Sequence, residues 1–402
     1  MILTFSFGIF GVIFLILLWI TLDYWLGRAH HLKKFVPPNA PKRQSQIELF
    51  TDGEVFFKDY FDELKRAKKH IHILFYIVKN DAFSKEFFLI LTQKAKEGVE
   101  VRLLLDFLGS LKVDRKLINE FKAAGGQFSF CHVPKLPYLF YSSQTRNHRK
   151  ISVIDGCVGC LGGFNIGKEY VNQDQKLSPW RDYQLKITGE GVHDLQKEFL
   201  MDWRQCSKTD LLQDKIYFPD QKPGPILHEV IPSEGVFLEN TYLKLIFAAK
   251  DSIMIGSPYF IPSRRTFSAL LAALKRGVTV TILVPKIADH KLVKEASFPF
   301  FRRLIREGAT VYQYLNGFYH AKTLIIDDRV CDIGTANFDK RSLFLNHEIN
   351  CYMYDVNFIK KLRNIMEKDI GDSKILTIDE LNQPNLKRTI TEKVATLFSH
   401  FL

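Results

Sequence analysis

The chain has 402 residues, of which 46% are apolar and 25% charged, and its formal net charge is +12. This composition excludes a wholly disordered chain, and the length suffices for two ordinary domains. The positive charge favours an anionic partner, which is either nucleic acid or an anionic lipid surface. The six cysteines lack the dense spacing of small secreted proteins, so we expect reduced thiols, including the C-x-x-C of Cys157 and Cys160.

The N-terminal segment predicts a membrane anchor. Residues 1–22 carry no charged side chain, and Asp23 is the first. As a helix of about 1.5 Å per residue they would span roughly 33 Å, enough for a bilayer's hydrocarbon core. A signal peptide is the alternative, but the segment lacks a basic leader and a small-residue cleavage site. Basic residues only follow it, which predicts a single-pass protein of the cell membrane with its catalytic body on the cytoplasmic side. They are Arg28, Lys33, Lys34, Lys42 and Arg43.

One series of elements then occurs twice. Each copy begins with a short strand, a glycine (Gly53 or Gly235), an amphipathic helix and an apolar strand. Each continues with a helix, a Gly-Val turn and a buried strand, at 97–106 and at 276–285. The repeat predicts two similar α/β domains, each a mixed sheet flanked by helices, related by a pseudo-twofold axis with one site between them.

The domain boundaries follow from this repeat and from a cluster of Pro and Gly near 213–226. We assign a transmembrane anchor to 1–27, a linker to 28–45, the first domain to 46–215, and the second domain with its C-terminal tail to 216–402.

Each half carries one copy of the motif H-x-K-x4-D-x6-G-[GT]-x-N, as HRKISVIDGCVGCLGGFN at 148–165 and HAKTLIIDDRVCDIGTAN at 320–337. On a strand, residues i and i+2 share a face, so each His and Lys project together. The Asp then lies at a turn, and the next strand returns the Asn beside them. Two imidazoles, two ammonium groups and two amides around one point predict a phosphate site. These residues are His148, Lys150, Asp155 and Asn165, and His320, Lys322, Asp327 and Asn337.

The doubled motif resembles the HKD signature of the phospholipase D superfamily, and the likeness covers about residues 46–402. The resemblance implies that His148 attacks phosphorus to form a phosphohistidine and that His320 is the acid and base, while the pseudo-symmetry of the halves leaves the reverse order open. It also implies that the lysines and asparagines of the motifs hold phosphoryl oxygens. Asp155 and Asp327 complete the catalytic motifs, and we expect them to bond near the turn rather than to react.

The same resemblance implies an acidic residue, 25 to 35 positions after each histidine, that orients the imidazole. Asp182 follows His148 and Glu348 follows His320 at equivalent points of the repeat. An ordinary surface carboxylate is the alternative for each. No metal or cofactor is expected, because Lys meets the phosphate charge. The remaining histidines, such as His30, His31, His70 and His72, lack convergent acidic partners at ligand spacing in the sequence.

Several further segments are similar to cardiolipin synthases of the bacterial single-anchor type. They are 103–110, 180–199, 257–262, 334–349 and the apolar C-terminal run 394–402. The resemblance implies transfer of a phosphatidyl group between two molecules of phosphatidylglycerol, giving cardiolipin and glycerol. A phospholipase D that hydrolyses or exchanges head groups is the nearest rival. A nuclease and a catalytically silent membrane scaffold are more distant alternatives, and no nucleic acid partner is expected. The sequence leaves the oligomeric state open.

Aromatic and basic residues precede each motif, in 133–150, 297–304 and 312–322. They suit a rim that enters the bilayer interface, where Lys135, Arg146 and Arg149 would draw anionic head groups. Packing of these aromatics in the core is the alternative.

Overall fold

The computed structural model describes residues 2–289 and 291–399, so the last three residues of the apolar C-terminal run lie outside it. Helix α1 occupies Ile2–Lys34. Within it, Gly11–Lys34 is long and apolar enough to cross a membrane, and only 11% of its most apolar window is buried. Such exposure is unlike that of a core helix of a soluble protein.

The first half alternates strands and helices. Its strands are β1 (Arg43–Asp52), β2 (His70–Phe75), β3 (Glu100–Asp106), β4 (Gln127–Cys131), β5 (Ile151–Ile154), β6 (Val158–Gly162) and β7 (Trp180–Gly189). Its helices are α2 (Gly53–Arg66), α3 (Ala82–Lys96), α4 (Arg115–Ala123), α5 (Leu139–Gln144) and α6 (Gly191–Ser207).

The second half repeats this series with additions. Its strands are β8 (Ile226–Glu234), β9 (Ser252–Gly256), β10 (Phe260–Ile261), β11 (Thr279–Pro285), β12 (Thr310–Tyr314), β13 (Phe318–Tyr319), β14 (Thr323–Ile326), β15 (Val330–Gly334), β16 (Phe338–Asp339), β17 (His347–Met353) and β18 (Ser373–Ile375). Its helices are α7 (Leu238–Ala248), α8 (Arg264–Lys275), α9 (Lys291–Arg306), α10 (Lys340–Phe344), α11 (Val356–Gly371), α12 (Ile378–Asn382) and α13 (Leu386–Phe398).

Most strands form one mixed sheet whose order shows the duplication. From its centre outward the first half reads β1-β7-β6-β5-β2-β3-β4, and the second half reads β8-β17-β15-β14-β9-β11-β12 with β18 at the edge. The halves join where Arg43–Ser45 of β1 pair antiparallel with residues 226–228 of β8. The predicted pair of α/β domains is therefore confirmed, and the matched strand order gives the pseudo-twofold relation. The proposed boundary at 215/216 lies between α6 and β8 and stays a prediction.

Buried side chains fill both faces of this sheet. On one face, α6 and α11 cover a single cluster that is continuous across both halves and includes Phe199 and Leu362. On the other face, each half has its own cluster, beneath α2 to α4 around Phe57 and beneath α7 to α9 around Leu270. The arrangement is three-layered, as expected when helices cover both faces of a sheet with buried parallel strands.

The end of α1 does not project freely but docks on the catalytic body. Asp23 is buried, and its Oδ1 accepts a hydrogen bond of 2.8 Å from the backbone N of Tyr141 in α5. The Arg28 guanidinium donates to the carbonyls of Phe344 (2.7 Å) and Gly235 (2.8 Å) in the second half. The helix therefore binds both halves beyond its apolar portion.

Candidate active site

The two motif histidines begin the central hairpins of their halves and lie against strands of the opposite half. The backbone N of His148, just before β5, donates to the carbonyl of His347 in β17 at 2.9 Å. The backbone N of His320, just before β14, donates to the carbonyl of Arg181 in β7 at 2.7 Å. This reciprocal crossing brings both motifs to the seam between the halves.

The orienting carboxylates are exchanged between the halves. His148 Nδ1 lies 2.8 Å from Glu348 Oε2, and His320 Nδ1 lies 2.5 Å from Asp182 Oδ2. The order along the chain suggested the opposite pairing, with each carboxylate serving the histidine of its own half. That pairing is wrong, because each histidine segment is bound to the other half's strand. Neither carboxylate is on the surface, since both are fully buried.

Several donors hold Glu348 in place. Its oxygens accept hydrogen bonds from Thr335 Oγ1 (2.6 Å), Ser342 Oγ (2.8 Å) and Asn346 Nδ2 (3.2 Å). Burial raises the pKa of Glu348, but His148, Lys150 and these hydrogen bonds outweigh burial and hold the pKa below its usual value. Glu348 is therefore ionised at neutral pH and accepts the Nδ1 proton of its imidazole.

Fewer donors surround Asp182. Its Oδ1 accepts from the backbone N of Tyr183 at 2.8 Å, and Trp180 Nε1 lies 3.4 Å from Oδ2. Burial raises the pKa of Asp182, yet the charges of Lys322 and His320 bring it below its usual value. The second carboxylate is thus also ionised.

Both imidazoles are neutral in the site without substrate. Burial lowers the pKa of His148, Glu348 raises it, and the positive charges of Lys150 and Lys322 lower it. Burial and Lys322 lower the pKa of His320 to about 4. A neutral imidazole that donates Nδ1–H to a carboxylate keeps its lone pair on Nε2. Each histidine can therefore attack an electrophile or accept a proton.

The two motif lysines are buried beside the histidines. Lys150 Nζ donates to the carbonyl of His148 at 2.6 Å, and Lys322 Nζ donates to the carbonyl of His320 and lies 3.7 Å from Asp182 Oδ2. Burial lowers the pKa of Lys150 to about 7 and that of Lys322 to about 8. The charge of Lys322 also lowers the pKa values of His148 and Lys150 in the first motif, so both halves contribute to one positive centre suited to an anion.

The motif asparagines are buried in the same region. Asn165 Oδ1 accepts from the backbone N of Ile77 at 3.0 Å, and its Nδ2 donates to Tyr170 at 3.1 Å. Asn337 is 5% exposed, and its Oδ1 has no hydrogen-bond partner among the residues described.

The motif aspartates lie at the turns rather than with the histidines. Asp155 accepts three backbone N–H bonds from residues 68–70, at 2.7 to 3.0 Å. Asp327 accepts three from residues 250–252, at 2.9 to 3.1 Å. Each carboxylate thus ties its hairpin turn to the start of a neighbouring strand.

Aromatic rings flank the imidazoles, and the sequence alone did not single them out as site residues. The ring of Tyr76 meets His148 edge-on with centroids 4.8 Å apart, and Trp180 lies at the same centroid distance from His320. Their positions in the sequence could have indicated this role, because Tyr76 directly follows β2 and Trp180 lies two residues before Asp182.

Only part of the predicted apolar and basic rim is exposed in the structure. In the first half Leu136 and Leu139 are exposed, but Arg146 and Arg149 are buried and bind Asp106 and Asp202, so these arginines are not part of a rim. In the second half most of the aromatic residues predicted to form the rim are buried in the core, which was the alternative interpretation of the sequence. Buried examples are Phe298, Phe301, Tyr314, Phe318 and Tyr319.

The six cysteines form no disulfide, and four of them are buried.

Two phospholipase D-type domains whose motifs meet at one seam define a member of the phospholipase D superfamily. The family described as "Cardiolipin synthase, PLD-like domain" matches residues 60–203 and 242–370. The chain belongs to this cardiolipin synthase family, as the motifs predicted.

Two curated relatives come from Bacillus subtilis (strain 168). "Minor cardiolipin synthase ClsB" is 40% identical over 95% of this chain and 96% of its own length. "Major cardiolipin synthase ClsA" is 39% identical over 89% of this chain and 76% of its own length. Among solved structures, phosphatidylserine synthase from Haemophilus influenzae Rd KW20 superposes with a TM-score of 0.71 at 16% identity, covering 90% of this chain and 98% of that one. This last likeness concerns the fold alone.

Proposed function

We propose that the protein transfers a phosphatidyl group from one phosphatidylglycerol to another, giving cardiolipin and free glycerol through a phosphohistidine. The observation that carries this proposal is the pair of buried imidazoles, each with a carboxylate at its Nδ1, at a centre that contains two lysines.

In the first half-reaction, His148 Nε2 attacks the phosphorus of the donor lipid, and the bond from phosphorus to the glycerol head group breaks. The leaving oxygen takes a proton from His320. Although His320 is neutral without substrate, the negative charge of a phosphodiester favours its imidazolium form, and Asp182 stabilises that cation. Lys150 and Lys322 neutralise the phosphoryl oxygens as charge develops on them.

In the second half-reaction, His320 removes the proton from a head-group hydroxyl of the acceptor lipid. The oxygen attacks the phosphohistidine, the P–N bond breaks, and His148 regains its lone pair. One phosphodiester bond is broken and one is formed overall, so the reaction needs no nucleotide.

Product analysis in phosphatidylglycerol vesicles tests the proposal. With the glycerol head group and the acyl chains separately labelled, we expect cardiolipin and free glycerol in equal amounts. Phosphatidic acid as the sole lipid product would instead make the protein a hydrolase. The variants His148→Ala and His320→Ala should each abolish turnover, and normal specific activity in either would refute the mechanism.

Trapping of the intermediate tests the assignment of the nucleophile. A rapid quench at alkaline pH, where phosphohistidine survives, followed by peptide mass spectrometry should place the phosphatidyl group on His148. A label on His320 would reverse the two roles.

We further propose that α1 spans the cell membrane once and that the body lies on the cytoplasmic side, because basic residues flank only the body side of its apolar stretch. Protease protection in right-side-out vesicles tests this topology. Cleavage of the body by external protease would contradict it.

A further inference from the structure

Three side chains that could ligate a metal meet where α1 crosses the seam. They are His31 on α1, Glu234 at the end of β8 and His347 at the start of β17. One ligand atom from each lies within 4.8 Å of the other two. Their spacing along the sequence gave no sign of this cluster, because each residue comes from a different element.

Two nitrogen atoms of this cluster have no hydrogen-bond partner within the described part of the chain. Nδ1 of His347, a residue only 5% exposed, and Nε2 of His31 are both buried without one. A buried polar atom without a partner is costly, so it calls for a water, a ligand or a bound ion.

The first half has a different pair at the equivalent place. Glu234 and His347 are direct cross-strand partners of β8 and β17. The equivalent partners of β1 and β7 are Asp52 and Arg181, whose guanidinium supplies a permanent positive charge and binds Asp369. In the second half the imidazole of His347 takes the place of the Arg181 guanidinium. A bound cation would supply the positive charge that a neutral imidazole lacks.

The cluster is accessible to a metal ion. It lines a pocket of about 900 Å³ that also includes His30, His132 and Tyr141. His31 and Glu234 are half-buried, so their side chains have room to adjust towards metal–ligand distances of about 2.0–2.2 Å. The pocket can also provide water as a fourth ligand.

We propose that His31, Glu234 and His347 form a binding site for a divalent ion of the zinc type, which joins α1 to the two strands at the seam. Two imidazoles and one carboxylate suit Zn²⁺ or Co²⁺, whereas Ca²⁺ and Mg²⁺ prefer oxygen ligands. The ion would lie outside the phosphate centre. It would still hold His347, whose carbonyl accepts from His148 N and whose neighbour Glu348 binds the same imidazole.

The test is metal binding by the full-length protein in detergent after removal of any affinity tag and treatment with a chelator. We expect one equivalent of Co²⁺ to bind with the visible absorption of a tetrahedral site and Zn²⁺ to displace it. Zn²⁺ should also raise the midpoint of thermal unfolding. His31→Gln should weaken binding by at least about tenfold, as expected when one of three protein ligands is lost.

The matched control is His30→Gln, which changes the neighbouring residue of the same helix and should bind Zn²⁺ like the wild type. Glu234→Gln and His347→Asn should behave like His31→Gln. If His347→Asn fails to fold, the result for His31→Gln is sufficient. This variant should still fold, because His31 is only half-buried and lies on a helix docked at the edge of the body. Wild-type protein without stoichiometric binding, or His31→Gln with wild-type affinity, would overturn the site. Both results come from metal binding alone, so they leave the proposed cardiolipin synthesis untouched, which is tested by product analysis.

Discussion

At the scale of single residues, the two halves hold equivalent carboxylates by different means. A Cβ on Gly163 would lie 2.0 Å from Asp182 Oδ1, so this position must be glycine in the first half. The equivalent residue of the second half is Thr335, whose hydroxyl donates to Glu348. The motif's tolerance of Gly or Thr therefore has a steric cause in one half and a hydrogen-bonding cause in the other.

We expect Glu348→Gln to lower kcat by about 10²- to 10⁴-fold, as for an amide in place of the carboxylate of a catalytic triad. The KM for phosphatidylglycerol should change far less, because the carboxylate acts through His148. Because the charge of Glu348 raises the pKa of His148, its loss should move the acid limb of the kcat/KM profile to lower pH. Steady-state kinetics in mixed micelles across pH measure both effects.

The control is Glu229→Gln, which changes a carboxylate of β8 that accepts from Tyr354 at 3.2 Å outside the site. It should leave both parameters unchanged. If the acid limb of the kcat/KM profile were unchanged in Glu348→Gln, Glu348 would not control the pKa of His148, and the prediction would be wrong.

A second residue-scale prediction concerns Asp332 in β15. Burial raises the pKa of Asp332 to about 8, and Oδ2 accepts from Asn350 Nδ2 at 2.6 Å. The folded state therefore keeps a proton that the unfolded chain releases above about pH 4. The stabilisation of the folded state by this retained proton is fully present below pH 4 and is lost progressively as pH rises towards 8.

Accordingly, Asp332→Asn should unfold at a higher denaturant concentration than the wild type at pH 8, and this advantage should shrink at pH 5. Chemical denaturation in detergent at the two pH values measures it. Asp62→Asn, on the exposed face of α2, should change the free energy of unfolding by less than about 0.5 kcal/mol at either pH. An advantage of Asp332→Asn that is independent of pH would contradict the assignment.

At the scale of elements, α1 has two parts with different environments. Its apolar side chains from Val12 to Leu18 are exposed, whereas Asp23 is buried against α5. A Cβ on Gly27 would come within 2.6 Å of the Tyr141 side chain, so a glycine permits this close approach. The helix is therefore a fixed support for the body as well as an apolar segment.

We expect Gly27→Ala to destabilise the docking of α1 by about 1–3 kcal/mol, the usual cost of overpacking. The thermal unfolding midpoint should fall, and trypsin should cleave faster at Lys33 and Lys34. Gly11→Ala is the matched control on the same helix, because nothing lies within 4 Å of its added Cβ. Equal proteolysis of both variants would show that the close contact does not hold the helix.

At the scale of the whole molecule, the exposed leucines before the first motif lie beside the docked anchor. Leu136 is 76% exposed and Leu139 40% exposed, and α5, which begins at Leu139, contacts α1. This arrangement favours contact of this segment with the bilayer interface.

The double variant Leu136→Ser/Leu139→Ser should therefore raise the KM for phosphatidylglycerol in vesicles several-fold. Its kcat on a short-chain phosphatidylglycerol below its micellar concentration should stay unchanged. Leu89→Ser, which alters a leucine of α3 that is 64% exposed, is the control and should affect neither substrate. An unchanged vesicle KM would show that the segment does not insert.

The apolar N-terminal helix, the duplicated α/β fold and the residues of the two motifs could all be predicted from the sequence. These features follow from local rules, because hydrophobic periodicity fixes strands and helices, and a spacing of two residues puts His and Lys on one face of a strand. Repetition of the motif then implied that two such faces should meet.

The pairing of groups that lie far apart along the chain could not be predicted in this way. Glu348 binds His148 rather than His320 because strands of the two halves cross at the seam. Arg146 and Arg149 are buried against Asp106 and Asp202, and His31 meets His347 where α1 docks on the body. Such contacts join residues far apart along the chain. Their partners depend on how complete domains pack, and no local pattern of the sequence contains that information.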